Sequence, residues 1–186
     1  MVVVKIGGSL LARSETFAAV LAEIAATSGE IRLLVVPGGG PFADAVREID
    51  RQLGLTDDAA HWMAVLAMDQ YAHAIASRLP RGKIVLGPDD IEAALAGGEI
   101  PVLAPYQWLR DADPLPHSWD VTSDSISVWV ATQVGAARLV LVKPPGASGA
   151  SVVDPSFDDL LPAQIRAEIV TADRLDSLGS ALRASD

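Results

Sequence analysis

Apolar residues fall along this chain in two rhythms. Short, almost uninterrupted apolar runs read as strands buried on both faces. They cover Val2–Ile6, Ile31–Val36, Lys83–Leu86, Ile100–Leu103 and Arg138–Lys143, with a weaker run at Glu168-Ile169-Val170. Between them, apolar residues recur at three- and four-residue spacing, which predicts amphipathic helices. The first covers about 15–28, with Ser14 as N-cap and Gly29 as stop. The next follows Pro41 and carries Ala43, Val46, Ile49 and Leu53 on one face. A long helix capped by Asp57 or Asp58 runs to about Arg78, and a shorter one covers Pro88–Ala96. The segment Asp120-Val121-Thr122-Ser123-Asp124 opens a helix to about Val134, capped by Asp120 or Thr122. A last helix runs from Asp173 to Arg183, with a helical turn near Pro162. Residues 106–119, rich in Trp, Asp, Pro and His, read as irregular. Strands alternating with helices predict a mainly parallel sheet covered on both faces. No internal repeat or linker divides the chain, so a single domain over 1–186 is expected.

In such a sheet, ligands bind beyond the carboxyl ends of the strands. Three features fall there: Gly7-Gly8-Ser9, Gly38-Gly39-Gly40 and Lys143 with Pro144-Pro145-Gly146. They are therefore expected to meet on one edge. Lys5 lies inside an apolar run, where an ammonium is costly unless it meets an anion. It reads either as one wall of a phosphate site or as a lysine snorkelling to solvent. Gly38-Gly39-Gly40 precedes a helix, so its amides point where the helix's positive end points, a setting for an anion. Neither a P-loop nor a dinucleotide fingerprint is present. Asp124 sits in the first turn of its helix, and the surplus of Asp120, Thr122, Ser123 and Asp124 exceeds what capping requires. Lysines on the transferring oxygens are a standard means of promoting phosphoryl transfer, and Lys143 ends its strand before a rigid Pro-Pro exit.

Charge sharpens this picture. The net charge is −10, from 24 acidic against 14 basic residues. Such a surface repels nucleic acid and anionic lipid, so a phosphate substrate must be captured by local donors. The lysines, Lys5, Lys83 and Lys143, are few enough to be informative. There is no cysteine, which removes disulfides, thiolate metal sites and a Cys nucleophile and fits a cytoplasmic protein. No stretch reaches the length of a membrane span, and the apolar N-terminus reads as a strand, not a signal peptide.

His61, Val65, Asp69 and His73 follow one another at steps of four on the long helix. They read as a polar strip, or as a His–Asp pair at a subunit contact, ahead of a metal site. Trp62, Met63, Leu66 and Met68 read as core or interface, and Trp108 and Trp119 either cover a flat substrate or pin a loop.

Val-Lys-Ile-Gly-Gly-Ser at 4–9, Val-Pro-Gly-Gly-Gly at 36–40 and Ser-Asp at 123–124 together resemble the amino acid kinase family. The likeness covers most of the chain in order. It implies a three-layer α/β/α sandwich, ATP, and phosphoryl transfer to a carboxylate or phosphate oxygen, with Mg2+ carried in on ATP. On that likeness Lys5 would stabilise the transferring group, Asp124 would organise the lysines, and the glycines would supply amides. A finer resemblance, over His61–Tyr71 and Trp119–Ile126, is to a short branch, the [5-(aminomethyl)furan-3-yl]methyl phosphate kinases of methanofuran biosynthesis. It implies conversion of that phosphate to the diphosphate, with Trp119 against the furan and Asp69 or Asp120 on the amine; His61 and Ser123 join these as acceptor-side residues.

The chain departs from the family pattern. Larger members have Thr-Asp or Ser-Asp where this strand ends in Lys143, and a second catalytic lysine later on. Here no lysine follows 143, so either Lys143 takes that role from a different backbone position or the chemistry is weaker. The nucleotide lid is shortened, which leaves base selectivity open. A non-catalytic nucleotide- or oxoanion-binding protein and a kinase of another acceptor (isopentenyl phosphate, uridylate or acetylglutamate) are the competing readings. The long helix 58–79 suggests a homodimer or a higher homo-oligomer.

Overall fold

The computed structural model describes residues 1–148 and 152–184. Six strands form one parallel sheet: β1 (Val2–Ile6), β2 (Leu33–Pro37), β3 (Gly82–Val85), β4 (Ile100–Leu103), β5 (Arg138–Lys143) and β6 (Arg166–Thr171). Their order across the sheet is β3-β4-β2-β1-β5-β6. The helices are α1 (Ser14–Thr27), α2 (Gly40–Leu53), α3 (Asp57–Arg78), α4 (Pro88–Ala96), α5 (Tyr106–Ala112), α6 (Ser123–Gln133), α7 (Phe157–Leu160) and α8 (Leu175–Arg183). No helix among the described residues is long and apolar enough to cross a membrane.

Strand side chains alternate between faces, and the core divides accordingly. Val2, Val4 and Ile6 of β1 join Val140 and Val142 of β5 in the layer that includes α1 and α8. Val3 of β1 joins Leu139 and Leu141 of β5 in the other layer, with α4 and α6. By the same alternation Lys5 and Lys143 belong to the α6 face. The β1–β5 register sets Lys5 beside Leu141 and Ile6 beside Val142, so Lys143 projects about two residues further along than Lys5.

Several expected details change. Ser14 begins α1 without capping it. Thr56, not Asp57 or Asp58, caps α3 by accepting the Ala59 N–H, and the two aspartates lie in the first turn. Residues 106–112 are helical where an irregular stretch was expected, because Asp69 Oδ1 accepts the first amide of α5, Tyr106 N–H, at 3.0 Å. Prolines at 114 and 116 follow its end.

Candidate active site

Lys5 Nζ donates to Asp124 Oδ1 at 2.7 Å, and Lys143 Nζ donates to Asp124 Oδ2 at 2.7 Å. The partners lie 119 and 19 positions from Asp124 in sequence. Strand alternation and register bring the lysines together on one face, and the first turn of α6 supplies the carboxylate between them. All three are buried, at 4%, 5% and 8% exposure for Lys5, Asp124 and Lys143. Burial alone would raise the Asp124 pKa, but the two ammonium groups override it and hold the carboxyl below its ordinary value. Burial, and then the neighbouring Lys5 cation, push the Lys143 pKa down against the pull of Asp124. Two cations and one anion leave a surplus positive charge. Each ammonium spends one of its three donors on Asp124 and keeps the rest for an incoming oxygen.

The orientation of α6 depends on a residue that sequence reading missed. Asp154 is buried, and its Oδ2 accepts the N–H of Thr122 at 2.9 Å and of Ser125 at 3.0 Å. It also accepts both hydroxyls, from Thr122 and Ser125. Asp154 thus caps α6 from another part of the chain. The local capping expected of Asp120 or Thr122 is absent: neither side chain makes the cap bond. An Asp-Pro pair in a loop reads as a turn and carries no sign of this task.

The glycines divide into two kinds. Gly7 N–H is spent on Val142 O and Gly38 N–H on Ile6 O, both at 2.8 Å, so these two extend the sheet instead of offering amides. Gly8, Gly39 and Gly40 have no protein acceptor for their N–H groups among the described residues. A Cβ on Gly8 would stand 2.1 Å from Gly40 N, and Gly40 itself has φ +57°, which glycine adopts without strain. Two loops from β1 and β2 therefore touch backbone to backbone. Tyr71, buried in α3, reaches the Gly7 carbonyl at 3.4 Å.

Two cavities adjoin at Gly8 and Ser9, which border both. One, of about 420 Å³, is bordered by Lys5, Gly7, Lys143, Pro144 and Gly146. The other, of about 200 Å³, runs between α2 and α3 past Gly40, Arg47, His61, Met68, Trp119 and Ser123. The first has the cationic donor set that a nucleotide polyphosphate requires. Both Asp124 oxygens are engaged by lysines, and no cluster of three metal-ligating side chains occurs among the described residues. A magnesium ion would therefore be held chiefly by the phosphates it accompanies.

Apart from Asp124, which lies between the two lysines, four of the expected site residues border neither cavity: Gly38, Pro145, Asp69 and Asp120. Asp69 holds the start of α5, and burial raises its pKa. Asp120 is exposed, and its backbone accepts Ser156 N–H. His61 does not pair with Asp69: it stacks on His117 with ring centres 4.2 Å apart. His117 in turn lies between Asp58, at 3.1 Å, and Asp113, at 2.9 Å. Trp119 does border the smaller cavity, held by Asp50 Oδ2 at 2.8 Å and covered by the Arg47 guanidinium at 4.8 Å. Trp108 instead meets Trp129, both partly buried against the α6-side core. Sequence reading also missed Asp44, Arg47 and Asp57 as cavity residues; their spacing on α2 and α3 was the available signal.

Residues 1–144 match the sequence profile of the amino acid kinase family. The chain belongs to the amino acid kinase family. Among amino acid kinase relatives, it is similar to [5-(aminomethyl)furan-3-yl]methyl phosphate kinase of Methanocaldococcus jannaschii, with 29% identity over 141 residues. That alignment covers 76% of this chain but 64% of the relative, so the chain spans under two thirds of that protein. The uridylate kinase of Archaeoglobus fulgidus superposes with a TM-score of 0.71 at 16% identity, covering 99% of this chain and 96% of the other. The UMP kinase of Ureaplasma parvum superposes with a TM-score of 0.72 at 15% identity, covering 100% and 95%. At those identities the structural likeness establishes the shared fold.

Proposed function

We propose that this chain is an ATP-dependent kinase that converts a small phosphate monoester to its diphosphate. The observation that carries this reading is the Lys5–Asp124–Lys143 triad beside two adjoining cavities. An acceptor phosphate oxygen would attack the γ-phosphorus of ATP, the bond to the bridging β,γ-oxygen would break, and ADP would leave. Lys5 and Lys143 would neutralise charge on the travelling phosphoryl group, with Asp124 fixing both ammonium groups in place. The free amides of Gly8, Gly39 and Gly40 would hold the acceptor phosphate in line. Lys143 would supply the charge that larger family members draw from a later lysine.

Within this reading the acceptor is [5-(aminomethyl)furan-3-yl]methyl phosphate, the compound in the relative's name. The smaller cavity supports it. Its volume, about 200 Å³, falls below the roughly 300 Å³ at which pockets for drug-sized ligands begin, and Trp119 offers a flat wall. Exposed Ile49, Leu53 and Leu66 on α2 and α3 support a homo-oligomer, which sizing chromatography would test.

The test is ADP release with ATP and a panel of acceptors: this furan phosphate, isopentenyl phosphate, UMP and acetylglutamate. Turnover of the furan phosphate above the others is expected. Turnover confined to another acceptor would replace the substrate assignment. Tight ATP binding without ADP formation on any acceptor would replace the kinase with a binding protein.

A further inference from the structure

Residues 113–122, between α5 and α6, form neither helix nor strand, yet their side chains tie them down on both sides of a groove. Leu115 is buried in the α6-side core. His117 turns toward α3: its Nδ1 lies 3.1 Å from Asp58 Oδ1, and its ring stacks on His61. Its Nε2 lies 2.9 Å from Asp113, at the start of the same segment. Two positions on, Trp119 turns toward α2. Its Nε1–H donates to Asp50 Oδ2 at 2.8 Å, and the Arg47 guanidinium covers its ring. Asp50 and Asp58 flank the short connection 54–56 that joins α2 to α3. The other Asp50 oxygen accepts the Leu55 N–H at 3.1 Å, so one carboxylate fixes both that connection and the segment crossing it. α2 and α3 pack side by side, and helices joined by so short a connection form an antiparallel hairpin. The segment is therefore a strap: it straddles the hairpin near its closed end, with His117 clasped to one helix and Trp119 to the other.

Ser118, Trp119, Val121 and Thr122 of this strap border the smaller cavity, whose other end is the start of α2 with the free amides of Gly39 and Gly40. We infer that the strap sets the length of acceptor that the cavity takes, with Trp119 as the end wall and His117 as the residue that positions it. At about 1.5 Å of rise per residue, Arg47 and the indole it covers lie about 10 Å along α2 from Gly40. An ester whose phosphate rests on the glycine amides has that distance for one ring and a short substituent. A second ring would have to displace the indole, and with it the contacts to both helices. Steric exclusion of this kind discriminates without any added attraction. Asp58 and Asp113 are exposed, and exposed ion pairs are individually weak. The His117 ring is held as much by stacking on His61 and by its edge contact with Trp62, at 5.0 Å between centres. Loss of His117 therefore loosens the wall, whereas loss of Trp119 removes it. This inference rests on the acceptor reading above and adds to it an upper bound on acceptor length and the residues that impose it.

The test compares [5-(aminomethyl)furan-3-yl]methyl phosphate with its N-benzyl derivative, which adds one ring at the outer end. Kinetics and calorimetric binding, the latter with a non-hydrolysable ATP analogue present, are measured for wild type, Trp119→Ala, Trp119→Phe and His117→Ala. The wild type is expected to favour the short compound by about 10²-fold in kcat/KM, the scale on which an apolar pocket rejects misfitting bulk. Trp119→Ala should recover about tenfold or more of the long compound's kcat/KM by removing that misfit. Trp119→Phe keeps a ring and loses only the N–H bond to Asp50, so it should retain most of the discrimination. His117→Ala should fall between wild type and Trp119→Ala, with KM for the acceptor raised and KM for ATP held. Comparable wild-type use of the two compounds, or discrimination that survives in Trp119→Ala, would overturn the inference and leave the kinase reading standing. So would a Phe variant as permissive as the Ala variant. In His117→Ala, a KM for ATP that rises in step with that for the acceptor would overturn the positioning role of His117. A binding preference for the short compound that is lost in Trp119→Ala, without ADP formation, would sustain the inference and sink the kinase reading. Neither binding nor turnover of either compound would overturn the acceptor reading and the inference with it.

Discussion

Gly8 and Gly40 meet with no room for a side chain: a Cβ on Gly8 would lie 2.1 Å from Gly40 N and 2.4 Å from Gly40 Cα. Neither neighbour is a flexible side-chain end that could swing aside. Gly8→Ala must therefore push the β1 loop away from the start of α2, widening the place where the two cavities adjoin. Turnover should fall at least tenfold, and thermal unfolding should register a loss of about 1–3 kcal/mol, the usual cost of overpacking. Normal kinetics in this variant would mean that the loops separate without consequence.

Lys5→Ala should lower turnover by about 10²–10³, the scale of losing one preorganised donor at developing charge. Lys143→Ala should behave alike, because both ammonium groups converge on Asp124. Steady-state kinetics on each variant decides this; near-normal turnover in either would remove that lysine from the mechanism.

Asp124→Asn should be costly in a different currency. It leaves two buried ammonium groups facing one another without their shared anion, and breaking a buried pair costs about 3–5 kcal/mol. Chemical denaturation should show a loss of that order. Lys143 should also lose its proton more readily, which a lowered alkaline limb in the pH–rate profile would report.

Asp154→Ala should act through α6. The change frees the amides of Thr122 and Ser125 and strips partners from both hydroxyls, costing about 1–3 kcal/mol. Turnover should fall with it as Asp124 loses its placement, and Asp154→Asn, which keeps an acceptor oxygen, should restore part of both. Equal stability in Asp154→Ala and wild type would remove the capping role.

His61 makes stability pH-dependent on the acid side. Burial and the neighbouring His117, partly offset by Asp113 and Asp58, lower its pKa from 6.5 to about 4. Between those values the unfolded chain takes up a proton that the folded chain refuses, so stability falls as pH drops through this window. The loss should be about 3 kcal/mol, complete below pH 4. His61→Gln should lack that slope in urea denaturation measured at successive pH values; parallel profiles would show that His61 is not responsible.

Much of this arrangement was legible in the sequence. The five strong strands announced themselves because a sheet buried on both faces leaves no polar alternation. Lys5 and Lys143 stood out because an ammonium inside an apolar run has to answer for its solvation. What escaped was what depends on three dimensions. Asp154 reaches α6 across 29 positions, and nothing local distinguishes it from any turn aspartate. The α5 helix owes its start to Asp69 on another helix, so composition misled. Asp69 looked like a ligand residue because helical spacing gives a face, not what that face meets. Gly7 and Gly38 shared a motif with Gly8, Gly39 and Gly40, but only hydrogen-bond partners separate the amides that continue the sheet from those that remain available.

The position of β1 at the middle of the sheet, between β2 and β5, carries a consequence for biosynthesis. One flank of this strand finds its partner early, whereas the other must wait until Arg138–Lys143 has left the ribosome. At roughly 5–20 residues per second, that delay is on the order of ten seconds. For that interval a nascent chain holds an unsatisfied strand edge and an uncompensated lysine at its core, which makes this the window in which chaperone capture has most to protect.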